Sequence, residues 1–504
     1  MTRARLLAPF ERLYGALTGE RRERNALIVL AGYVLLWALY GALAKGSQSI
    51  HFDMGEMVNW SRAHVLGTAK HPVAGAWLVG LWFDVFPLAD WSYYLFAMVV
   101  AGVSLWAVWK VSALYLDPGK RVVGLALLML VPFYNFHALK YNANTAQLPF
   151  WALTTWWFLA SLETGSLLAA ALAGIAAALA MQSKYWSIFL LIGLAAAVLS
   201  DPRRGRYFRS AAPWLTIACG AVALAPHLIW LVTNDFPPLH YADEHVDNPR
   251  FIKAAVQYLP DVLAYIALPI LLTVLAARPP LATIGDMLWP PPSRRRTAVI
   301  AFAVPLVLPL VMVFAAVAII PLWAIPAMTL LPVVLLSSPR VAIPREAAVI
   351  VVAVAVVFPV VATLAAPFVA LQIHKRDVPS EGARYAPLAA EMNRLWHSAV
   401  GKPLRIIGGD TNLTNGLVFY LPDEPRADEI MSSGLTPWIT PAQIERDGIA
   451  IACRSADAGC NAAAEKLAAG HANATATAVA VAREYFGIKG RTGQYRIYIV
   501  PPRS

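Results

Sequence analysis

Residues 51–77 read HFDMGEMVNWSRAHVLGTAKHPVAGAW and place many ionisable side chains directly after an apolar run. These side chains include Asp53, Glu56, Arg62, His64, Lys70 and His71. The run before them, residues 25–45, is long and apolar enough to cross a bilayer, because a helical span needs about 20 mostly apolar residues. Residues 51–77 therefore begin a polar segment at a membrane surface, and the rest of the chain indicates on which side it lies.

The whole chain is unusually apolar. Of its 504 residues, 59% are hydrophobic and 14% are charged, whereas ordinary soluble domains carry about 25% charged residues. We therefore predict a polytopic membrane protein surrounded by membrane lipids. The formal net charge is +11, but the basic residues lie mostly in short segments between apolar runs, as is typical of membrane proteins. We exclude a nucleic-acid partner on this ground.

Hydropathy predicts a mainly α-helical transmembrane bundle with about eleven spans. The predicted spans are residues 25–45, 92–112, 121–137, 145–162, 166–182, 185–200, 211–233, 256–276, 298–319, 322–338 and 347–372. Residues 73–89 are apolar but short and are interrupted by Asp84 and Pro87, so we predict an interfacial or re-entrant helix there.

Basic segments orient the predicted spans, since Lys and Arg are enriched on the cytoplasmic side. These segments are residues 3–24, 110–121, 201–209, 277–296 and 337–346. All of them fall on one side of the membrane. We therefore predict a cytoplasmic N-terminus over residues 1–24, a transmembrane domain over residues 25–372 with an outer loop at residues 46–91, and a periplasmic domain over residues 373–504.

The predicted periplasmic domain differs in character from the spans. Residues 374–400 have helical spacing, and four short apolar segments predict strands, which indicates a small α/β domain. These segments are residues 403–410, 416–422, 448–454 and 495–502. Cys453 and Cys460 are candidates for a disulfide if the domain lies outside the cytoplasm; two free thiols are the alternative.

Asp53 and Glu56 are the first candidates for chemistry. Their i, i+3 spacing puts them on one face of a helix. One carboxylate could act as general base on an acceptor hydroxyl or amine. The other could orient the acceptor or hold a divalent cation through oxygen ligands. A solvated loop is the alternative, and the sequence leaves the question of a metal undecided.

Several basic side chains lie on the same predicted outer face. Lys70 and His71 precede a proline and an aromatic-rich stretch, where a cation could bind a phosphate at headgroup depth. Snorkelling toward lipid headgroups is the alternative. Lys140 and Lys184 lie in outer turns, against the positive-inside bias, so a phosphate-bearing ligand or ordinary scatter would account for them.

Further polar residues are predicted to line a substrate cavity or its entrance. They are Arg62, His64, Lys140, Tyr141, Asn142, His240 and Tyr241. His240 and His245 with neighbouring acids could bind a metal, but the loop has no HExxH pattern, so a polar loop at an entrance is favoured. Few ionisable groups lie inside the predicted spans, whereas transporters usually place them there. The distribution favours chemistry at one membrane face over translocation.

The order of features in residues 51–78 resembles the PMT-like branch of the GT-C superfamily of membrane glycosyltransferases, which includes protein O-mannosyltransferases and the bacterial aminoarabinose transferase of lipid A. In that family a large outer loop follows the first span, begins with an acidic motif and reaches a basic residue before a proline segment. The layout of spans over residues 25–372 agrees with this resemblance, which implies a GT-C fold with interfacial helices in the outer loop.

The resemblance also implies roles for individual residues. Asp53 matches the base that activates the acceptor, and Glu56 lies beside it. Lys70 or His71 matches the residue that contacts the donor phosphate; the family often has lysine immediately before the proline, where this chain has His71. Lys184 is similar to a second basic residue near that phosphate.

The implied reaction moves a sugar, a hexosyl or pentosyl group, from a polyprenyl-phosphate donor to a lipid, glycan or protein acceptor, with inversion at the anomeric carbon. No cofactor is required by the resemblance, and a divalent metal is left open. The abundance of Ala, Val and Arg is typical of a GC-rich genome, so we expect the inner membrane of a Gram-negative bacterium. A transporter or flippase of a lipid-linked sugar is the alternative function, and a membrane scaffold would leave Asp53 without a role.

Overall fold

The computed structural model describes residues 3–243, 246, 248–376, 384–471 and 473–503, and its contacts divide the chain into two compact units. The first unit comprises residues 1–38, 95–139 and 143–362. The second comprises residues 39–94, 140–142 and 363–504, so the first outer loop and the C-terminal region belong to one unit. The domain boundaries drawn from the sequence, which separate these two regions, stay a prediction.

Helices dominate the chain up to residue 376. They are α1 (Arg3–Thr18), α2 (Arg22–Ala44), α3 (Phe52–Ala63), α4 (Ala74–Phe83), α5 (Asp90–Ser112), α6 (Pro118–Met129), α7 (Ala143–Thr164), α8 (Leu167–Ser183), α9 (Ile188–Ser200), α10 (Arg204–Phe208), α11 (Ala212–Thr233), α12 (Pro237–Asp243), α13 (Phe251–Tyr265), α14 (Ala267–Ala277), α15 (Ala282–Leu288), α16 (Arg294–Val307), α17 (Leu331–Leu336) and α18 (Arg345–Arg376). Short 3₁₀ helices cover Pro132–Tyr134, Tyr185–Ser187, Leu308–Ala315 and Pro321–Leu330.

The predicted mainly helical membrane fold is confirmed, and helices overlap every predicted span. Within the described ranges, five helices are long and apolar enough to cross a membrane: α2, α5, α11, α16 with the 3₁₀ turn after it, and α18. The pair α13 and α14 would add a sixth, bent by 49°. Other apolar helices are shorter. In one of them, Pro321–Leu336, Pro326 lies inside the helix, where it removes a backbone donor and interrupts regular α-helix. The count of eleven spans stays a prediction.

Close helix packing in the first unit depends on small residues. Gly174 of α8 lies directly against the backbone of Thr216 on α11, where a Cβ atom would find no room. The Thr216 hydroxyl donates to the carbonyl oxygen of Ala170 at 2.9 Å. Such small-residue contacts are typical of helices that associate within a bilayer.

The C-terminal part of the second unit contains the predicted small α/β domain. Its helices are α19 (Tyr385–Val400), α20 (Thr411–Leu417), α21 (Pro441–Asp447) and α22 (Ala458–Ala469), with a 3₁₀ turn at Ser433–Leu435. Its strands are β1 (Ile406–Gly409), β2 (Arg426–Asp428), β3 (Ile449–Arg454), β4 (Thr475–Val481), β5 (Glu484–Tyr485), β6 (Ile488–Lys489) and β7 (Gly493–Val500). Five strands form one sheet in the order β2-β1-β3-β7-β4. Strand β1 runs parallel to β2 and β3, whereas β7 runs antiparallel to β3 and β4. Strands β5 and β6 form a separate hairpin.

One predicted strand is wrong. Residues 416–422 contain the end of α20 and the turn after it, and the strand that pairs with β1 is β2. Leu413, Leu417 and Leu421 are all buried in the core beside α19, and their spacing of four is helical. A short apolar run does not distinguish a buried strand from a buried helix unless the residues before it are included.

The other face of the sheet holds the two cysteines of the domain. Cys453 on β3 and Cys460 on α22 are joined by a disulfide, with Cα atoms 5.7 Å apart. Both are fully buried in the apolar cluster that includes Ile451 and Tyr498. The bond links the sheet to the helix that packs on it.

Candidate active site on helix α3

The first turn of α3 is fixed by the residue before it. The Nδ1 atom of His51 accepts a hydrogen bond from the backbone N–H of Asp53 at 3.1 Å and so satisfies one of the free donors at the helix start. Burial lowers the pKa of His51 to about 4, so the ring is neutral and Nδ1 can accept. Asp53 is thereby placed in the first turn, and Glu56 follows one turn later.

Asp53 is surrounded by donors. Its Oδ2 atom lies 3.0 Å from Nζ of Lys140 and accepts a hydrogen bond of 3.0 Å from the Asn142 amide. Burial alone would raise the pKa of Asp53, but the charge of Lys140 and the hydrogen bonds from Asn142 and Lys140 bring the pKa below its usual value. Asp53 is therefore an ionised carboxylate at neutral pH, with 18% of its side chain exposed.

Glu56 lies in a drier environment. Its Oε1 atom is 2.8 Å from Nζ of Lys70, and only 5% of its side chain is exposed. Burial raises the pKa of Glu56 to about 7 although Lys70 opposes the shift, and the nearby charges of Asp53 and Glu429 raise it further. Glu56 therefore exchanges a proton close to neutral pH.

A short turn aims Lys70 at Glu56. The Thr68 hydroxyl oxygen accepts hydrogen bonds from the backbone N–H groups of Lys70 (3.3 Å) and His71 (3.0 Å) and lies 2.8 Å from the His71 carbonyl oxygen, to which it donates. The His71 ring instead lies edge-on to Trp60, with centroids 6.2 Å apart. Of the two residues left open by the sequence, Lys70 is the one whose side chain reaches the Glu56 carboxylate.

Three further predicted cavity residues lie in the second unit with different surroundings. The Tyr141 hydroxyl donates to the carbonyl oxygen of Gly75 at 2.9 Å and the side chain is fully buried. Arg62 donates to the carbonyl oxygens of Val418 (2.9 Å) and Pro425 (3.0 Å). His64 ends α3 in the left-handed region with φ 51° and is exposed.

Arg62 and His64 line one cleft of about 590 Å³ beside α3 and α4. Aromatic side chains such as Trp77 and Phe86 make much of its wall, and Asp84 and Glu424 are at its edge. The cleft is a candidate binding surface, separate from the Asp53 and Glu56 carboxylates, which do not line it.

The remaining predicted residues belong to the first unit. The Lys184 ammonium donates to Oδ1 of Asn144 at 2.6 Å and lies 4.6 Å from the centre of the Trp323 ring. His240 and Tyr241 are on α12, where His240 is exposed and Tyr241 half-buried. His245 lies outside the described residues. Among the residues that are described, no group of three or more His, Cys, Asp or Glu side chains is arranged to hold a metal ion.

Two ionisable groups near α3 were not found by sequence reasoning. His51 directly precedes the helix, and its place two residues before Asp53 was a usable signal. Glu429 follows β2, and its charge acts on Glu56 and on Lys70. No local pattern marks Glu429, because it approaches α3 only through the tertiary fold.

Comparison with known proteins agrees with this architecture. The family model of dolichyl-phosphate-mannose-protein mannosyltransferases matches residues 70–230. The crystal structure of ArnT from Cupriavidus metallidurans bound to undecaprenyl phosphate is similar with a TM-score of 0.63 at 13% identity, over 93% of this chain and 97% of that one. The apo structure of the same ArnT gives a TM-score of 0.59 at 13% identity, with the same coverage. No curated protein matches the sequence. The chain therefore shares the fold of ArnT, and its residues 70–230 match the model of the dolichyl-phosphate-mannose-protein mannosyltransferase family.

Proposed function

We propose that this membrane protein transfers a sugar from a polyprenyl-phosphate donor to an acceptor at the periplasmic face of the inner membrane. The observation that carries the proposal is the pairing on α3 of an ionised carboxylate, Asp53, with a lysine-bonded carboxyl, Glu56, one turn later. A displacement at a sugar carbon needs a base for the nucleophile and a cation for the leaving phosphate. The ArnT structure with bound undecaprenyl phosphate, which shares this fold, supports a polyprenyl-phosphate donor.

Asp53 is the proposed base. It is ionised and reachable from solvent, and Lys140 and Asn142 hold its Oδ2 atom, so its second oxygen can take the acceptor proton. The acceptor oxygen or nitrogen forms a bond to the anomeric carbon while the bond from that carbon to the phosphate oxygen breaks. The electron pair stays on the phosphate, the proton goes to Asp53, and one displacement inverts the anomeric carbon.

Lys70 is the proposed phosphate ligand. Its side chain is 27% exposed and its ammonium is held at the site by Glu56, so a phosphate can replace the carboxylate as its partner. A cation aimed at the departing phosphate stabilises charge that grows in the transition state. His71 and Lys184 stay predictions drawn from the family resemblance. His240 and Tyr241 stay predictions for the substrate cavity or its entrance, drawn from the polar loop that contains them.

The proposed setting is the inner membrane of a bacterium, with the N-terminus in the cytoplasm and residues 373–504 in the periplasm. The basic segments between spans support this orientation. The disulfide between Cys453 and Cys460 supports it as well, since disulfides persist in oxidising compartments.

The acceptor is a lipid, a glycan or a protein, and a comparison of cells with and without the gene tests the proposal. Envelope lipids, polysaccharides and glycoproteins would be extracted and their sugars compared by mass spectrometry. We expect one sugar to be missing without the gene, to return with the wild-type gene and not to return with Asp53→Asn. Identical glycan profiles in all strains, with the protein present in the membrane, would contradict the proposal.

A further inference from the structure

Helix α3 lies along strand β2 in a regular register. The Asn59 amide donates to the carbonyl oxygen of Ala427 at 3.2 Å and accepts from the Ala427 N–H at 2.8 Å, as a neighbouring strand would. Asn59 is fully buried. One turn further, Arg62 donates to the carbonyl oxygen of Pro425 at 3.0 Å. A step of three residues along α3 therefore corresponds to a step of two residues backward along β2.

The same register, continued in the other direction, pairs Glu56 with Glu429. Glu56 is one turn before Asn59 on the same helix face, and Glu429 is two residues after Ala427. Gly55 brings the backbones together, because a Cβ atom at this position would collide with the carbonyl oxygen of Asn415 on α20. The C-terminal domain thus places a carboxylate next to the helix that carries the proposed active site.

Glu429 is held in place by two donors. The Thr411 hydroxyl donates to its Oε2 atom at 2.7 Å, and the Asn415 amide donates to its Oε1 atom at 3.3 Å. Glu429 is 3% exposed and Asn415 is fully buried. The Oδ1 atom of Asn415 is itself buried without a hydrogen-bond partner. Glu429 is therefore a buried carboxyl whose two oxygens are both fixed by side chains of α20.

The charges around Glu429 connect it to the site. Burial raises the pKa of Glu429, whereas Thr411, Asn415 and Lys70 lower it and Asp410 raises it. The charged groups that act on Glu56 are Lys70, Asp53 and Glu429 itself. Two buried carboxyls that share one lysine cannot both ionise without cost, because like charges at short distance disfavour each other.

We propose that Glu429 is a positioning residue of the α3 site, whose negative charge weakens the hold of Glu56 on Lys70 and leaves that lysine able to bind the donor phosphate. This inference rests on the proposed function. As the phosphate arrives, Lys70 transfers its hydrogen bond from Glu56 to a phosphate oxygen, and the Glu56 carboxylate takes up one proton from the buffered solvent. Donor affinity is then highest where Glu56 is protonated and falls as the pH rises past its pKa.

The charge of Glu429 shifts the titration of Glu56 to higher pH. Its negative charge raises the pKa of Glu56. Glu429→Gln removes that charge and leaves a side chain of the same size, so the pKa of Glu56 falls. Glu56 then ionises at a lower pH, and the affinity for the donor begins to fall at a lower pH than in the wild type.

The test uses the full chain in lipid nanodiscs with undecaprenyl phosphate as the probe. Its Kd would be measured between about pH 5 and about pH 9, a window that brackets a carboxyl pKa near 7. We expect the midpoint of the pH dependence to lie at a lower pH in Glu429→Gln than in the wild type and to stay at the wild-type value in Glu429→Asp, which keeps the charge. An unchanged midpoint in Glu429→Gln would overturn the proposal.

A matched control distinguishes an effect of Glu429 on Glu56 from a general loss of stability in the C-terminal domain. Asp428 is also buried and accepts a hydrogen bond from the Thr436 hydroxyl at 2.9 Å, but it is not among the main charges that shift the pKa of Glu56, which are Lys70, Asp53 and Glu429. Asp428→Asn is expected to lower thermal stability without moving the midpoint; an equal shift in this variant would overturn the proposal.

Infrared titration of the Glu56 carboxyl, assigned with Glu56→Gln, provides a readout that does not depend on the donor. If the pKa of Glu56 is lower in Glu429→Gln but the wild type does not bind the donor, the proposed function is contradicted and the electrostatic coupling of Glu429 to Glu56 is upheld. Donor binding with an unshifted titration would contradict the role of Glu429 alone.

Discussion

Asp53 and Glu56 lie one turn apart on α3, and their surroundings shift their pKa values in opposite directions. Asp53 has two donors on one oxygen, Lys140 and Asn142, and its pKa falls below the usual value although burial opposes this. Glu56 is bonded to Lys70, yet burial raises its pKa to about 7. The comparison teaches that spacing alone does not assign roles to paired carboxylates, because hydration and neighbouring charges decide which of the two is ionised.

The largest expected effect comes from removing the Asp53 charge. Asp53→Asn keeps the size of the side chain but cannot accept a proton, so we expect transfer to fall by about 10²–10⁴-fold. The measurement is release of polyprenyl phosphate from a synthetic donor by the purified protein. Glu391→Gln, which alters a half-buried carboxylate paired with Arg394 on α19, is the control. A rate for Asp53→Asn within the range of this control would remove Asp53 from the mechanism.

Lys70→Met is expected to have the next largest effect. Loss of a charged hydrogen bond to phosphate weakens binding by about 1.5–3 kcal/mol, or roughly tenfold to a hundredfold. His71→Gln should weaken binding less, because the His71 ring lies beside Trp60 and not at Glu56. Calorimetric titration with undecaprenyl phosphate checks both variants. A larger loss for His71→Gln would reverse the assignment.

Lys140→Gln tests whether Lys140 controls the pKa of Asp53, and the pH dependence of the transfer rate is the measurement. Lys140 lowers the pKa of Asp53, so its removal lets that pKa rise. Asp53 is then protonated at a higher pH, and the acid limb of the pH–rate profile moves toward neutral pH. A limb that stays in place, or moves to lower pH, would show that Lys140 does not control the ionisation of Asp53.

The smallest effect on transfer is expected from the disulfide, which is remote from both carboxylates in sequence. Replacing Cys453 and Cys460 by Ala removes a short closed loop and should lower stability by about 2 kcal/mol. Thermal unfolding of the isolated variant measures the loss, while polyprenyl phosphate release is expected to stay near the wild-type rate. An unfolding temperature equal to that of the wild type would show that the bond adds no stability.

Sequence patterns were sufficient for the class of fold. Long apolar runs predict the helical membrane protein, and short apolar segments predict three of the strands, β1, β3 and β7. Strands β2 and β4 were missed because β2 has only three residues, Arg426–Asp428, and β4 consists mostly of the small residues Ala and Thr, of which Ala is depleted in strands and gives a weak strand signal. The assignment of residues 416–422 failed because a short buried helix and a buried strand share one apolar pattern.

The site could be predicted only where its residues are close in sequence. Asp53, Glu56 and Lys70 belong to one stretch of chain, and the contact of Lys70 with Glu56 in the structure agrees with that proximity. The partners of Asp53 from residues 140–142 and the approach of Glu429 depend on tertiary contacts, which no local spacing encodes. The charge state of Glu56 depends on burial, which also appears only in the folded chain.

The division of α3 into an acceptor side and a donor side is tested most directly by the affinity of Asp53→Asn for undecaprenyl phosphate. The variant should bind this lipid with a Kd within about twofold of the wild type, because Lys70 and its charged hydrogen bond to the phosphate are unchanged. Lys70→Met, measured alongside, should bind it roughly tenfold to a hundredfold more weakly. An Asp53→Asn variant that is folded, yet loses the lipid as fully as Lys70→Met does, would contradict the division.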